Sequence, residues 1–124
     1  MTKKIGVLVV DDQQSIREGT KALLAFSHDI EVMAEAANGQ EALQRIEEVQ
    51  PDVVLTDVRM PVMDGLETTR QIKHHWPQVK VIVLTMYATH RAEALAAGAD
   101  HFLIKASMRE LLENTIRSLI SNRD

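Results

Sequence analysis

A chain of 124 residues is long enough for one domain, and its 45% apolar and 26% charged residues are ordinary for a soluble globular fold. It has no cysteine, which excludes disulfides and thiolate metal sites and fits a reducing, cytoplasmic compartment. A net charge of −4 argues against a general nucleic-acid binder, because phosphate contacts need clustered Lys and Arg. Met1 to Lys4 leads into an apolar run too short for a signal-peptide core. No stretch approaches membrane-spanning length, so no membrane partner is expected. With no repeat, low-complexity tract or linker, residues 1–124 read as a single domain.

Ile5 to Val10 is short, apolar and rich in β-branched residues, and it stops at Asp11-Asp12; this predicts a central parallel strand. From Gln13 to about Phe26 the period changes, and Ile16, Thr20, Leu23 and Leu24 share one helix face. Ile30 to Ala36 alternates apolar residues with Glu31 and Glu35, as a half-exposed edge strand would. Asn38-Gly39-Gln40-Glu41 has the form of a capped helix start. Ala42, Leu43, Ile46 and Val49 then form the buried stripe, and Pro51 closes the helix.

Val53-Val54-Leu55-Thr56 is apolar without alternation, as a strand buried on both faces would be, and it ends at Asp57. Asp64 with Glu67 opens the next helix, which carries Leu66, Ile72 and Trp76 inward and ends before Pro77. Val81 to Leu84 is a further apolar strand, stopping at Thr85. An Ala-rich helix follows over roughly Thr89 to Ala97, with Gly98 behind it. His101 to Ile104 is a short last strand ending at Lys105. Ser107 with Glu110 is a capping box for a final helix whose stripe is Leu111, Leu112, Ile116, Leu119 and Ile120.

Strands alternating with helices require a doubly wound α/β sheet, a (βα)5 arrangement of parallel strands. The order 2-1-3-4-5 fits best, since it centres the fully apolar runs and puts the alternating second strand at an edge. In that order the carboxyl ends of the strands bring Asp11-Asp12, Asp57, Thr85 and Lys105 to one rim near the topological switch point. Each alone could be a turn cap or a solvated loop residue; arriving together they form a site.

The residue types at that rim define a chemistry. Clustered carboxylates repel, so they need a cation or a raised pKa, and all-oxygen ligands on an open rim suit Mg2+. A carboxylate beside Mg2+ and a lysine can attack a phosphoryl group to give an acyl phosphate. Lys105 and the metal would neutralise the phosphoryl oxygens, and the Thr85 hydroxyl could donate to them.

Taken as an ordered set, Asp11-Asp12, Asp57 within Thr56 to Gly65, Thr85 and Phe102-Leu103-Ile104-Lys105 resemble the receiver domain of two-component response regulators over essentially the whole chain. The resemblance implies a signalling switch, with no enzymatic activity beyond self-catalysed phosphotransfer and dephosphorylation. Asp57 would accept the phosphoryl group from a sensor histidine kinase. Asp12, Asp57 and the Arg59 backbone carbonyl would ligate Mg2+ directly, Asp11 through water, and Lys105 would pair with the phosphate. Thr85 and Phe102 would relay the state to the face of the fourth helix, last strand and last helix, with a coupling of about 1–3 kcal/mol. A phosphorylation-dependent homodimer is a further partner the family allows.

Some positions depart from the family pattern. Ala106 follows Lys105 where many receivers have a cis proline; a non-proline cis bond costs about 2.5–4 kcal/mol, so a trans peptide is expected. Phe102 replaces a frequent tyrosine, and Arg59 and Tyr87 stand where they would tune the lifetime of the phosphorylated state. Leu84-Thr85-Met86-Tyr87, Ala97-Gly98-Ala99-Asp100 and Lys105-Ala106-Ser107 are similar to the NarL/LuxR-type class, whose members carry a DNA-binding output domain. No such domain is expected within these residues, so the chain reads as an excised receiver or a stand-alone one acting through protein contacts.

Two rival chemistries fit less well. A haloacid-dehalogenase-like phosphatase would want an acid where Arg59 stands, and a flavodoxin-like cofactor binder would want a Ser/Thr/Gly-rich loop where Asp11-Asp12-Gln13-Gln14 stands. His74-His75 reads as solvated. His28, His90 and His101 lack partners at zinc-ligand spacing, and the methionines read as packing.

Overall fold

A computed structural model describes residues 3–105 and 108–121, the side chains of 108–110 excepted. The strands are β1 (Ile5–Val10), β2 (Ile30–Ala36), β3 (Val53–Thr56), β4 (Lys80–Thr85) and β5 (His101–Ile104). The helices are α1 (Gln14–Leu24), α2 (Gly39–Val49), α3 (Gly65–His75), α4 (Arg91–Ala96) and α5 (Met108–Ser121). All strand pairings are parallel and the order is β2-β1-β3-β4-β5, as the hydrophobic pattern required. No helix among the described residues is long and apolar enough to cross a membrane.

Alternating strand residues divide the core between the two faces of the sheet. Leu8, Val10, Val54, Val81, Val83 and Phe102 pack with Ala42, Ile46 and Ile72 of α2 and α3. Val7, Val9, Val53, Leu55, Ile82, Leu84 and Leu103 pack with Leu24 of α1 and Leu112 and Ile116 of α5. Strands with buried side chains on both faces read as continuous apolar runs, which is why β1, β3 and β4 were legible. In β2, Glu31 is exposed and Glu35 half-buried, consistent with its edge position.

The helix starts follow local chemistry. Asn38 accepts the Glu41 N–H at 2.9 Å, and Asp64 accepts the Glu67 N–H at 2.8 Å. Glu41 reaches back to the Ala37 N–H, one residue before the donor that a strict capping box uses. The first helix stops at Leu24, short of Phe26, because the chain tightens: the Phe26 and Ser27 N–H groups donate to Leu23 and Leu24, and the Phe26 side chain is left exposed. The fourth helix is also shorter than the Ala-rich run suggested. A 3-10 turn over Ala88–His90 precedes α4, and neither Tyr87 nor His90 offers a side-chain cap that would start a regular helix earlier. Gly98 behind it holds φ of 106°, as a helix-ending glycine can. The expectations for the Lys105–Ala106 peptide and for Ser107 with Glu110 lie outside the described residues.

One glycine fixes how α3 meets the rim. Gly65 donates to the Val58 carbonyl at 2.7 Å, and a Cβ at Gly65 would overlap the Asp57 carbonyl oxygen. Gly19, by contrast, lies on the exposed part of α1, and nothing lies within 4 Å of a Cβ built there. Gly65→Ala is therefore expected to destabilise the fold by about 3 kcal/mol through forced displacement of backbone. Gly19→Ala should stabilise it by about 0.5–1 kcal/mol through helix propensity. Urea unfolding of both variants checks the pair; equal shifts would contradict it.

Candidate functional site

The register of the sheet assembles the site. Val10 of β1 pairs with Thr56 of β3, so Asp11 and Asp57, each one residue further on, leave adjacent strands side by side. The Asp57 N–H donates to the Val10 carbonyl at 3.2 Å, extending the ladder one step past β3. Thr85 of β4 pairs with Ile104 of β5, which places Lys105 just beyond that pair.

Lys105 joins these ends. Its Nζ lies 2.7 Å from Asp11 Oδ2 and 3.0 Å from Asp57 Oδ2. The ammonium-bearing side chain is 12% exposed, against 5% for Asp11 and 18% for Asp57. Burial is the strongest single influence on the lysine and favours its neutral form, but the hydrogen bonds and charges of Asp11 and Asp57 together outweigh it. The Lys105 pKa is consequently raised above its ordinary value of 10.5.

The two acids are also tied to backbone. Asp11 Oδ1 accepts the Gln13 N–H at 3.0 Å, and Asp57 Oδ1 accepts the Val58 N–H at 2.7 Å. Asp12 stands at the solvent edge of the same group. Asp11, Asp12 and Asp57 each present an oxygen within 4.8 Å of the others. This all-oxygen, partly open donor set fits a hard divalent cation such as Mg2+, which keeps several of its waters.

The remaining expected residues fall into two groups. Thr85 is buried at the end of β4, its hydroxyl oxygen accepting the Tyr87 N–H at 3.4 Å, and Phe102 is buried opposite Val83 in the register. Arg59 and Tyr87 are exposed on loops after β3 and β4; Arg59 makes no hydrogen bond or ion pair among the described residues, and the Tyr87 ring meets His90 edge-on at 6.2 Å. The structure thus brings Asp11, Asp12, Asp57 and Lys105 together, sets Thr85 and Phe102 in the adjacent strands, and leaves Arg59 and Tyr87 at the periphery. His74 and His75 are exposed, as expected.

Sequence reasoning missed Arg17 and Glu35. Arg17 of α1 donates to the Asp11 carbonyl at 2.7 Å and pairs with Glu35 of β2 at 2.8 Å. Nothing in the pattern marks Arg17, which reads as one more charged residue among the polar positions of the first helix, and Glu35 read only as an edge-strand charge.

Comparison with known proteins agrees with this geometry. The response regulator receiver domain family matches residues 7–117. This chain belongs to that family. The receiver is 39% identical over 119 residues to the transcriptional regulatory protein LnrK of Bacillus subtilis, covering 94% of this chain and 54% of LnrK. It is 39% identical over 115 residues to the response regulator protein VraR of Staphylococcus aureus, covering 91% of this chain and 55% of VraR. A crystal structure of a LuxR-family DNA-binding response regulator from Staphylococcus aureus superposes on it with a TM-score of 0.85 at 30% identity, covering 93% of this chain and 98% of that one. The receiver therefore spans about half the length of the curated relatives it matches.

Removing the lysine tests the electrostatics of the site. Lys105→Met leaves two inward carboxylates without their cation and is expected to destabilise the receiver by about 3 kcal/mol at pH 7 in EDTA. The raised pKa sets the sign of the alkaline response: the lysine's contribution is complete below its ordinary value of 10.5 and is lost as pH rises through the higher folded value. The stability gap between wild type and variant, followed by urea unfolding, should stay level up to about pH 10 and narrow above it. A gap that widens in alkali would contradict the assigned pairing.

Proposed function

We propose that this receiver is a Mg2+-dependent phosphoacceptor switch in which Asp57 takes a phosphoryl group from the phosphohistidine of a sensor histidine kinase. One observation carries the reading: Lys105 bridges Asp57 and Asp11 while the Asp12 carboxylate lies within reach of both acids. A carboxylate held next to a fixed ammonium and an oxygen donor set is suited to attack phosphorus, whose equatorial oxygens need positive charge around them.

In the proposed step an Asp57 oxygen attacks the phosphorus in line with the phosphorus–nitrogen bond. That bond breaks as the new phosphorus–oxygen bond forms, and its electron pair goes to the imidazole nitrogen, which takes up a proton. Asp57 is left as an acyl phosphate. Asp12 and Asp57, with the Arg59 backbone carbonyl, would hold Mg2+ directly, and Asp11 would act through a water. Bound Mg2+ supplies charge neutralisation on the phosphoryl oxygens. Lys105, already hydrogen-bonded to Asp57, would transfer its donor to the phosphoryl group, and the Thr85 hydroxyl would turn toward it.

Movement of Thr85 would be felt by its β5 neighbours through the Thr85–Ile104 and Val83–Phe102 pairs. The face it would remodel is built from α4, β5 and α5 and exposes Leu95 and Leu111, a surface on which output contacts or a phosphorylation-dependent homodimer could form. Arg59 and Tyr87, exposed beside the rim, would set how readily water reaches the acyl phosphate. LnrK, called a transcriptional regulatory protein, and VraR are about twice as long as this chain, and a solved LuxR-family structure of matching length is called DNA-binding. These names support output through a DNA-binding domain outside these residues, and a chain without cysteine fits a cytoplasmic setting.

Incubation with acetyl phosphate and Mg2+, followed by intact mass spectrometry, should show one added phosphoryl group. EDTA added beforehand should prevent it, and Asp57→Asn should abolish it. A label that persists in Asp57→Asn would overturn the assignment.

A further inference from the structure

Among the acids of the rim, Asp12 is the least supported. It is exposed and its side chain accepts no hydrogen bond from any described residue, so only the backbone aims it. The residue before it is held at every polar atom. The Asp11 N–H donates to the Ala36 carbonyl at 3.1 Å, Oδ1 accepts from Gln13 at 3.0 Å, and Oδ2 accepts from Lys105 at 2.7 Å. Its carbonyl oxygen accepts from Arg17 Nη1 at 2.7 Å. That carbonyl belongs to the planar peptide joining Asp11 to Asp12, so its orientation sets the direction in which Asp12 leaves the chain.

Arg17 is itself fixed. Its Nε pairs with Glu35 Oε1 at 2.8 Å, and Glu35 Oε2 takes Lys21 Nζ at 2.7 Å. The guanidinium is a rigid fork whose nitrogens donate in two directions at once, which an ammonium cannot match in the same geometry. The arginine side chain is 15% exposed, so solvent screens the pair with Glu35 little on that side. The helix start offers no substitute, because Gln13 at the N-cap makes no side-chain capping bond and the first turn of α1 holds no acid.

We infer that Arg17 is a positioning residue for the metal-binding acidic pair: it holds the Asp11–Asp12 peptide so that Asp12 meets Asp57, and Glu35 of the edge strand holds Arg17. The inference rests on the Mg2+-dependent reading above. It makes Mg2+ affinity the quantity that this ion-paired network controls, and it gives the edge strand β2 a part in a metal site whose acids follow β1 and β3.

The test uses the whole chain and two readouts: the Mg2+ concentration at half-saturation in a direct calorimetric titration, and that at half-maximal labelling by acetyl phosphate. Arg17→Met should raise both by about tenfold, the lower end of what loss of a ligand-orienting partner does. Arg17→Lys, which keeps the charge but loses the fork, should do the same. Glu35→Gln should move both in the same direction by a smaller factor. Arg45→Met, which breaks an exposed pair on α2, should leave both at the wild-type values. If Arg17 only supported the fold, its variants would melt lower by equal amounts with and without Mg2+ while both half-saturating concentrations stayed put; that outcome in Arg17→Lys overturns the inference, and it decides the matter if Arg17→Met does not fold. Wild-type protein that binds no Mg2+ and takes no label would instead overturn the phosphoacceptor reading itself.

Discussion

The structure depends on one ammonium group placed between two carboxylates. Lys105 leaves β5 at the rim, and its long aliphatic stem crosses above the end of β4 to reach Asp57 beyond β3 and Asp11 beyond β1. Two acids turned inward at the ends of adjacent central strands would repel each other and lose solvation at once. With the lysine between them they become a preorganised polar centre at the end of a sheet whose two faces are packed mainly by apolar side chains. The same pairing leaves Asp12 at solvent, so the site is closed on the protein side and open on the other, as the proposed transfer from a partner's phosphohistidine requires.

Around that centre the loops leave little room for adjustment. Gly65 lets α3 begin directly against the Asp57 carbonyl, and Gly39 brings α2 onto the same loop by donating to the Met63 carbonyl at 3.1 Å. Between them Val62 holds φ of 70°, a conformation that a β-branched residue adopts only when its neighbours dictate it. The loop after β3 is thus positioned by contacts on both sides rather than by its own preferences, and Arg59 rides on it with no hydrogen bond or ion pair of its own among the described residues. Rigid support of Asp57 and freedom at Arg59 are compatible because the first comes from backbone and the second from a side chain pointing to solvent.

The edge strand has a larger part than its position suggests. Glu35 draws Lys21 and Arg17 together, and the Lys21 ammonium followed by the Arg17 guanidinium keeps its carboxyl below the usual carboxylate range. A surface ion pair of this kind contributes little to stability by itself. Its consequence is geometric, since the guanidinium that it orients is the one that grips the Asp11 carbonyl. On the opposite edge, β5 contributes Phe102 to one core face and Leu103 to the other before delivering Lys105, so the strand that carries the cation is also anchored in both layers.

Periodicity and punctuation in the sequence determined the class of fold, the strand order, the caps at Asn38 and Asp64, and the meeting of Asp11, Asp12, Asp57, Thr85 and Lys105 at one rim. These are legible because apolar runs, cap residues and strand-end acids are local signals, and parallel topology then permits few arrangements. The short fourth helix, the early end of the first and the reach of Arg17 to the Asp11 carbonyl were decided only by tertiary structure. A missing cap weakens a helix start by an amount that neighbouring contacts can override, so the extent of α4 is not a property of its own residues. Arg17 and Glu35 are 18 positions apart and carry charges of a kind found on any soluble surface. What makes them part of the site is a distance across the sheet, and that exists only once β1, α1 and β2 have packed.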